Sequence, residues 1–443
     1  MSRGLFAPPR DPAARRLWKV DDGTGLPVPR YEGRSLPNVA TSVFVRSGSR
    51  ARSDTQAIAP RLDPDLENFT GRRAGGPILV ALIDGLGWSG FRAWARGPGA
   101  IRRAWRGCAE PITTVFPSTT TAALVSLSTG VAPGRHGLVG YRQYLPRFGV
   151  VGDMLAMSPV GLPSRDLLIG PSWVPSDLSG VPTLYRRGMR ATVLSRDIFE
   201  GTGFTRLLYD GAEYVGYATA AHLVHELVGI LARPRPPPVV YLYWADLDTI
   251  QHLVGPDPAW TALELDRLQD LLSRVSAALP RRLAQSVEVC LTGDHGLVPA
   301  DVSHRVSIDE EPAIAGAMLR PLAGDRRAGF FAARPGKLAA LEAALTERLL
   351  PGTPILGRDA VIGAGLFGPA PFHSEIEERI GDVIAFVRSP QSLTYRTPGA
   401  APPRRFLRGG HGGLEADELV VPLVRGTLTE LAAGGRGRSA SSR

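Results

Sequence analysis

From about residue 75 onward, short apolar runs alternate with longer stretches that are apolar on one side only. The runs "PILVALID" (77–84), "RATVLS" (190–195), "PVVYLYWAD" (238–246) and "VEVCLTG" (287–293) predict buried strands. Between them, "AHLVHELVGILA" (221–232) and "LELDRLQDLLSRVSAAL" (263–279) have helical spacing. Alternation of this kind predicts an α/β domain around a largely parallel sheet.

Two stretches break the alternation. Residues 143–185 are rich in Pro and Gly with scattered large apolar side chains, and residues 300–405 form a long excursion ending in "LTYRTPGAAPPRRFLRGG". Both are expected to be insertions that build lids or substrate walls. Residues 1–74 are rich in Arg, Pro, Gly and Asp, with one helix-compatible patch, "LPNVATSVFVRSG" (36–48). They predict an extension that wraps the domain, frayed at its start. The domain is expected over 75–427, followed by a disordered tail over 428–443. No internal repeat is present.

A chain of 443 residues, 44% hydrophobic and 21% charged, has globular composition and enough length for one large domain with insertions or for two domains. Its net charge of +9 comes almost wholly from arginine, with Lys19 and Lys337 as the only lysines. No compact basic run or nucleic-acid motif accompanies that charge, which argues against specific nucleic-acid binding. A basic surface does attract anionic substrates. Cys108 and Cys290 make no disulfide framework. The N-terminus lacks the apolar segment of a secretion signal, and no stretch is long enough to span a bilayer. The expectation is a soluble cytoplasmic protein with no membrane partner, its oligomeric state left open.

Candidate chemistry gathers where strands end. Asp84 closes the first run in "ALIDGLGW", and Asp294 and His295 follow the fourth in "TGDHGL". Asp248 and His252, in "YWADLDTIQHLVGP", share a face if that segment is helical, and His411 sits among glycines in "RGGHGGL". The carboxyl ends of parallel strands line the usual ligand edge of open α/β sheets. Three Asp and three His there would supply two mixed oxygen and nitrogen sites, suited to Zn²⁺, Mn²⁺ or Fe. Each residue alone also reads as a turn former, a cap or a solvated helix face. A further cluster, Thr119, Thr120 and Thr121 in "VFPSTTTAALVSLSTG", precedes a helix-like run. Hydroxyls there either cap the helix or present a nucleophile where exposed N–H groups favour an oxyanion.

The ordered landmarks "LIDGLG", "FPSTTTAALVSLSTGVAPGRHG", "DLDTIQH", "TGDHG" and "HGG", over roughly residues 77–425, resemble the alkaline phosphatase superfamily. The nearest branch is the type I phosphodiesterase/nucleotide pyrophosphatases. The resemblance implies an alkaline phosphatase-like fold with helices on both faces of the sheet. It implies two divalent metal ions, zinc or manganese, one on Asp84, Asp294 and His295 and the other on Asp248, His252 and His411. It makes Thr120 the nucleophile, with Thr119 and Thr121 as its nearest competitors and as cap and support, and Arg135 and His136 part of a structural turn. The implied activity is cleavage of phosphodiester or pyrophosphate bonds in a small-molecule substrate through a phosphothreonine. Phosphomonoester or phosphonate hydrolysis, or a non-catalytic metal-binding scaffold, are the alternatives. Monoester enzymes grip the dianion with an arginine just after the nucleophile, whereas Thr121, Ala122 and Ala123 stand here. A diester is therefore expected unless an arginine from elsewhere, such as Arg404, Arg405 or Arg408, folds into the site.

Overall fold

The four predicted strands become the middle of a larger sheet. The computed structural model describes residues 5–49, 58–67, 75–170, 173–397 and 406–433. In chain order the main strands are β1 (Ile78–Ile83), β2 (Ala109–Thr113), β3 (Ala191–Arg196), β4 (Glu213–Tyr217), β5 (Val239–Trp244), β6 (Glu288–Gly293) and β7 (Val420–Thr427). They form a seven-stranded sheet in the order β2-β7-β6-β1-β5-β3-β4. β1 runs parallel to β5 and β6, and β3 runs parallel to β4 and β5. β7 is antiparallel to both of its neighbours, β6 and β2.

Helices relevant to the core and the site are α1 (Leu36–Arg46), α2 (Trp88–Ala95), α3 (Thr120–Thr129), α4 (Ala220–Leu231), α5 (Asp246–Val254), α6 (Pro258–Ala278) and α7 (Leu428–Ala433). Every residue of β1, β5 and β6 is buried, so these strands read as continuous apolar runs rather than alternating ones. Ile78, Val80 and Leu82 of β1 join the cluster formed with α1 and α3. Leu79, Ala81 and Ile83 pack on the other face against Trp88, Leu223 and Leu265 of α2, α4 and α6. Among the described residues no helix is long and apolar enough to cross a membrane.

Both ends of the described chain pack into the core of the domain. Val39, Val43 and Phe44 of α1 lie in the same cluster as β1, so no separate core marks off residues before 75. Tyr31 helps to fasten this segment, its hydroxyl donating to Leu366 O at 2.8 Å and accepting from Phe116 N at 3.1 Å. The expected frayed start, residues 1–4, lies outside the described residues. At the other end, residues 428–433 are helix α7 rather than the beginning of a disordered tail. Leu428 and Leu431, three apart, bury one face in the cluster of α6. The rest of the expected tail, 434–443, lies outside the described residues.

The two insertions form a second sheet, also of seven strands. Its order is Ile355–Gly357, Val383–Phe386, Ala328–Phe331, Ala323–Gly324, Arg142–Leu145, Val150–Asp153 and Ser158–Pro159. A single pairing, Gly324 with Arg142, joins the half contributed by residues 300–405 to the half that starts at Arg142. Phe330, Ile384 and Phe386 fill one cluster with Leu366 and Phe367, while Phe331, Val383 and Ala385 meet Leu341 and Leu345 in another.

Candidate metal centre and active site

The sheet brings the six candidate ligands together at one edge. Asp84 follows β1, and its backbone N donates to Trp244 O at 2.9 Å across to β5. The chain then turns at Gly85 with φ of 78°, where a Cβ would meet Leu297 at 2.9 Å and the Asp248 Cα at 3.0 Å. Only glycine allows that approach. Asp294 and His295 follow β6, and Gly85 N donates to Asp294 Oδ1 at 3.0 Å. α5 sets Asp248 and His252 one turn apart, with Oδ1 and Nε2 separated by 3.3 Å. His411 arrives on the loop before β7, its ring stacked on that of His295 with centroids 3.8 Å apart.

Ligand atoms fall into two overlapping groups, Asp248 with His252 and His411, and Asp248 with Asp84 and His295, each within 4.8 Å of one another. Asp294 Oδ2 is 3.5 Å from His295 Nε2. Asp248 therefore lies between the two expected sites. Asp246, its nearest competitor, is turned to Arg196 at 3.3 Å and Arg267 at 3.9 Å instead.

Hydrogen bonding leaves the donor atoms of this cluster unspent. His252 Nδ1–H donates to Gly409 O at 2.9 Å, His411 Nδ1–H to Ser118 O at 3.1 Å and His295 Nδ1–H to Gly296 O at 3.3 Å. Each bond fixes the tautomer whose Nε2 carries a lone pair. Asp84 Oδ1, Asp248 Oδ1 and Asp294 Oδ2 are buried with no hydrogen-bond partner. Buried polar atoms are normally satisfied, so three bare carboxylate oxygens in one place are a group of atoms that could hold a cation. Burial raises the pKa of Asp84, Asp248 and Asp294, and the neighbouring carboxylate charges raise it further. Burial also lowers the histidines, to about 4 for His252, about 3 for His295 and well below the ordinary value for His411. Neutral imidazoles beside crowded carboxylates are the donor set of a divalent metal.

The three threonines separate by role. Thr120 opens α3, and its Oγ1 lies 3.1 Å from Nε2 of His295, a member of the cluster. Thr121 turns away and donates to Gly140 O at 3.0 Å. Thr119 occupies the N-cap position, yet its side chain makes no cap bond and its Oγ1 is buried without a partner. The expected capping role is thus not seen; the Thr119 hydroxyl lies near Asp325, whose pKa burial raises to about 6 while Thr119 opposes the rise. His136 is buried, with Ser126 Oγ at 2.9 Å from its Nε2 and Leu138 N donating to its Nδ1 at 3.1 Å. Arg135 reaches Pro371 O at 3.5 Å. Both fasten the turn after α3.

Several neighbours escaped the sequence reading. The Tyr243 hydroxyl donates to Asp84 Oδ2, and an aromatic with a polar tip inside the buried run "YLYW" is the signal that could have marked it. Ser118 accepts from Gly412 N at 3.1 Å and donates to Gly413 O at 2.8 Å, tying the threonine loop to the His411 loop. Arg327, fully buried, bonds Glu415 at 2.6 Å and Glu418 at 3.3 Å, while Glu418 Oε1 accepts from Gly413 N at 2.9 Å. That network anchors the second sheet to the His411 loop. Asp325 packs on Gly412, whose φ is 104° and where a Cβ would meet the Asp325 side chain at 2.5 Å. The arginine beside the centre is Arg326, whose charge adds to the lowering of His252 and His411. Arg408 touches the centre only through its backbone, N donating to His252 O at 2.8 Å, and Arg404 and Arg405 lie outside the described residues.

The family described as type I phosphodiesterase / nucleotide pyrophosphatase matches residues 78–414. The chain belongs to this family. Its match begins at β1 and ends just past His411, enclosing all six ligands and Thr120. Solved structures with the same fold include murine ectonucleotide pyrophosphatase/phosphodiesterase 5, as an inactive variant in complex with AMP. It has 16% identity and a TM-score of 0.58, over 79% of this chain and 87% of that one. Phosphonoacetate hydrolase from Sinorhizobium meliloti, in complex with phosphonoformate, is 19% identical with a TM-score of 0.55, over 79% of this chain and 89% of that one. No curated protein sequence matches the chain.

Proposed function

We propose that this member of the phosphodiesterase family is a two-metal hydrolase that cleaves phosphodiester or pyrophosphate bonds through a phosphothreonine on Thr120. The observation that carries the reading is the gathering of three bare carboxylate oxygens and three imidazoles at one sheet edge, with the hydroxyl that opens α3 against His295. Asp84, Asp294 and His295 would hold one ion, and Asp248, His252 and His411 the other. When bound, two divalent cations, zinc or else manganese, supply Lewis-acid charge for the attacking and leaving oxygens.

Thr120 Oγ attacks phosphorus in line with the leaving oxygen. Thr120 Oγ gives its proton to solvent as the Oγ–P bond forms, the P–O bond to the leaving group breaks, and the departing oxygen takes a proton from solvent. Thr120 and Thr121 N–H, which have no acceptor within the helix, face the nonbridging oxygens and stabilise their growing charge. Water then attacks from the opposite side, the Oγ–P bond breaks, and Thr120 regains its proton. Two inversions leave the configuration at phosphorus retained. Free Cys108 and Cys290 suit a reducing compartment, in keeping with a cytoplasmic enzyme.

Monoester or phosphonate hydrolysis would use the same apparatus, and a scaffold would keep its metals without turnover. A screen of zinc- and manganese-loaded protein against mono-, di- and pyrophosphate esters separates these. The expected result is metal-dependent turnover with diesters or pyrophosphates favoured. Full metal content with no turnover of any ester would leave only the scaffold.

A further inference from the structure

A cleft of about 320 Å³ opens beside the centre, at the pairing of Gly324 with Arg142 that joins the two halves of the second sheet. Asp325 lines it on one side and packs against Gly412, next to His411, on the other, so the cleft and the centre share a wall. Four arginines line it: Arg142, Arg305, Arg326 and Arg396. Arg396 is paired with Glu310 at 3.7 Å, and the Asp309 carboxylate accepts from the Arg396 backbone N at 2.9 Å. The other three have no carboxylate within ion-pair distance among the described residues. Arg142 donates one N–H to Tyr395 O at 2.7 Å, and Arg305 stacks on Phe406 with its guanidinium carbon 4.2 Å from the ring centroid. Arg326 keeps its whole guanidinium free of hydrogen bonds to described residues, and Asp325 spends Oδ1 on the Arg326 backbone N at 2.7 Å. By accessible area Arg326 is exposed, yet protein crowds it enough to lower its pKa, with Arg142 and Arg305 adding to the effect and Asp325 opposing it. Asp309, Glu310 and Asp325 line the cleft as well, but none of them is ion-paired with Arg142, Arg305 or Arg326, so three guanidiniums face one recess without a salt-bridge partner among the described residues. Such an arrangement is unfavourable until an oxyanion enters.

We infer that this cleft is the subsite for the part of the substrate away from the reacting phosphorus, and that it takes a second oxyanion, a carboxylate or a phosphate, held by Arg326 and Arg142. The inference rests on the reading of the metal centre given above and adds the substrate class to it. The favoured substrate carries a phosphoryl or phosphonyl group at one end and a separate negative charge at the other. An alkyl or neutral aryl group would leave the guanidinium cluster unanswered. No arginine next to Thr120 is needed, because the extra charge is met one subsite further along.

Calorimetric titration of the zinc-loaded full chain tests this with three ligands of similar length. Propylphosphonate ends in a methyl group, 3-phosphonopropionate in a carboxylate, and ethane-1,2-diphosphonate in a phosphonate. At least one anion-ended ligand is expected to bind about tenfold tighter than propylphosphonate, the worth of a single charge-assisted hydrogen bond, and which one does so names the second oxyanion. Arg326→Gln and Arg142→Gln should each shrink that preference. Equal binding of all three to the wild-type chain overturns the cleft assignment alone, whatever the variants do. A preference that persists undiminished in both folded variants overturns it too. Failure of all three to bind, propylphosphonate included, removes the phosphoryl site and with it both readings.

Discussion

The two sheets of this protein each have seven strands and little else in common. The central one is made of strands five to eight residues long, those in its middle shut off from solvent on both sides, and its strand ends carry Asp84, Asp294 and His295, with Asp248 on the helix that follows β5. The second is assembled from short strands, two of them only two residues long, drawn from segments far apart in the chain. It contributes none of the six candidate ligands. What it does contribute is Asp325, Arg326 and Arg142, which face the space beside the centre. The difference teaches a division of labour. A rigid, buried sheet fixes charged atoms that must hold position to a fraction of an ångström, while a sheet built of insertions shapes what reaches them.

The largest expected effect lies on the central sheet. Thr120→Ala should lower turnover by about a thousandfold or more while metal content and melting temperature stay near those of the wild type, because the hydroxyl does the chemistry and holds no part of the fold. Steady-state kinetics with metal analysis checks this. Wild-type rates in the fully metallated variant would move the nucleophile to Thr119, Thr121 or water.

The next effect tests the joint between the sheets. Arg327→Ala leaves Glu415 and Glu418 without their buried cation and should cost about 3–5 kcal/mol of stability. Denaturant unfolding measures that loss. Metal affinity should fall with it, since Glu418 holds the Gly413 N–H beside His411. A variant that unfolds at wild-type denaturant would mean that the second sheet docks independently of the network.

A smaller effect concerns charge in the metal-free protein. Burial raises the pKa of Asp84, Asp248 and Asp294, so the folded chain keeps protons that the unfolded chain has already lost. Stability of the metal-free chain therefore falls as pH rises through those raised values. His252, His295 and His411 are lowered, so acid below about 6.5 protonates the unfolded chain first and removes stability from that side. Above about pH 6.5 the histidines are neutral in both states and only the carboxylate slope remains. In chelator, thermal unfolding followed upward from about pH 6.5 should show stability dropping as pH rises, by about 1.4 kcal/mol per pH unit for each carboxylate that the folded chain still keeps protonated. With zinc or manganese present the slope should vanish. A metal-free protein whose stability is flat or rises over that range would mean the carboxylates are not crowded as described.

The same contrast governs what could be read in the sequence. β1, β3, β5 and β6 were legible because a strand buried on both faces is an apolar run, and such runs stand out. β2, β4 and β7 were not, since "AEPIT", "EYVGY" and "VVPLVRGT" mix polar residues, glycine or proline into what would otherwise be apolar runs. The candidate ligands could be picked out because Asp84, Asp294 and His295 follow strands, Asp248 and His252 share a helix face, and His411 stands among glycines. Arg326 and Asp325 could not, since their closeness to Gly412 and Thr119 depends on how two insertions pair, and a two-residue strand such as Ala323–Gly324 leaves no periodicity to follow. α7 was missed because "TLTELAA" has helical spacing only over its two leucines.

The central claim is that six side chains around Thr120 hold two divalent ions. The most direct measurement is a crystal structure of the zinc-loaded protein with anomalous data collected at the metal edge. The account predicts two peaks about 4 Å apart, one on Asp84, Asp294 and His295 and the other on Asp248, His252 and His411, with Thr120 Oγ facing both. A single peak, a peak held by Asp246 in place of Asp248, or two ions bound away from Thr120 would contradict it.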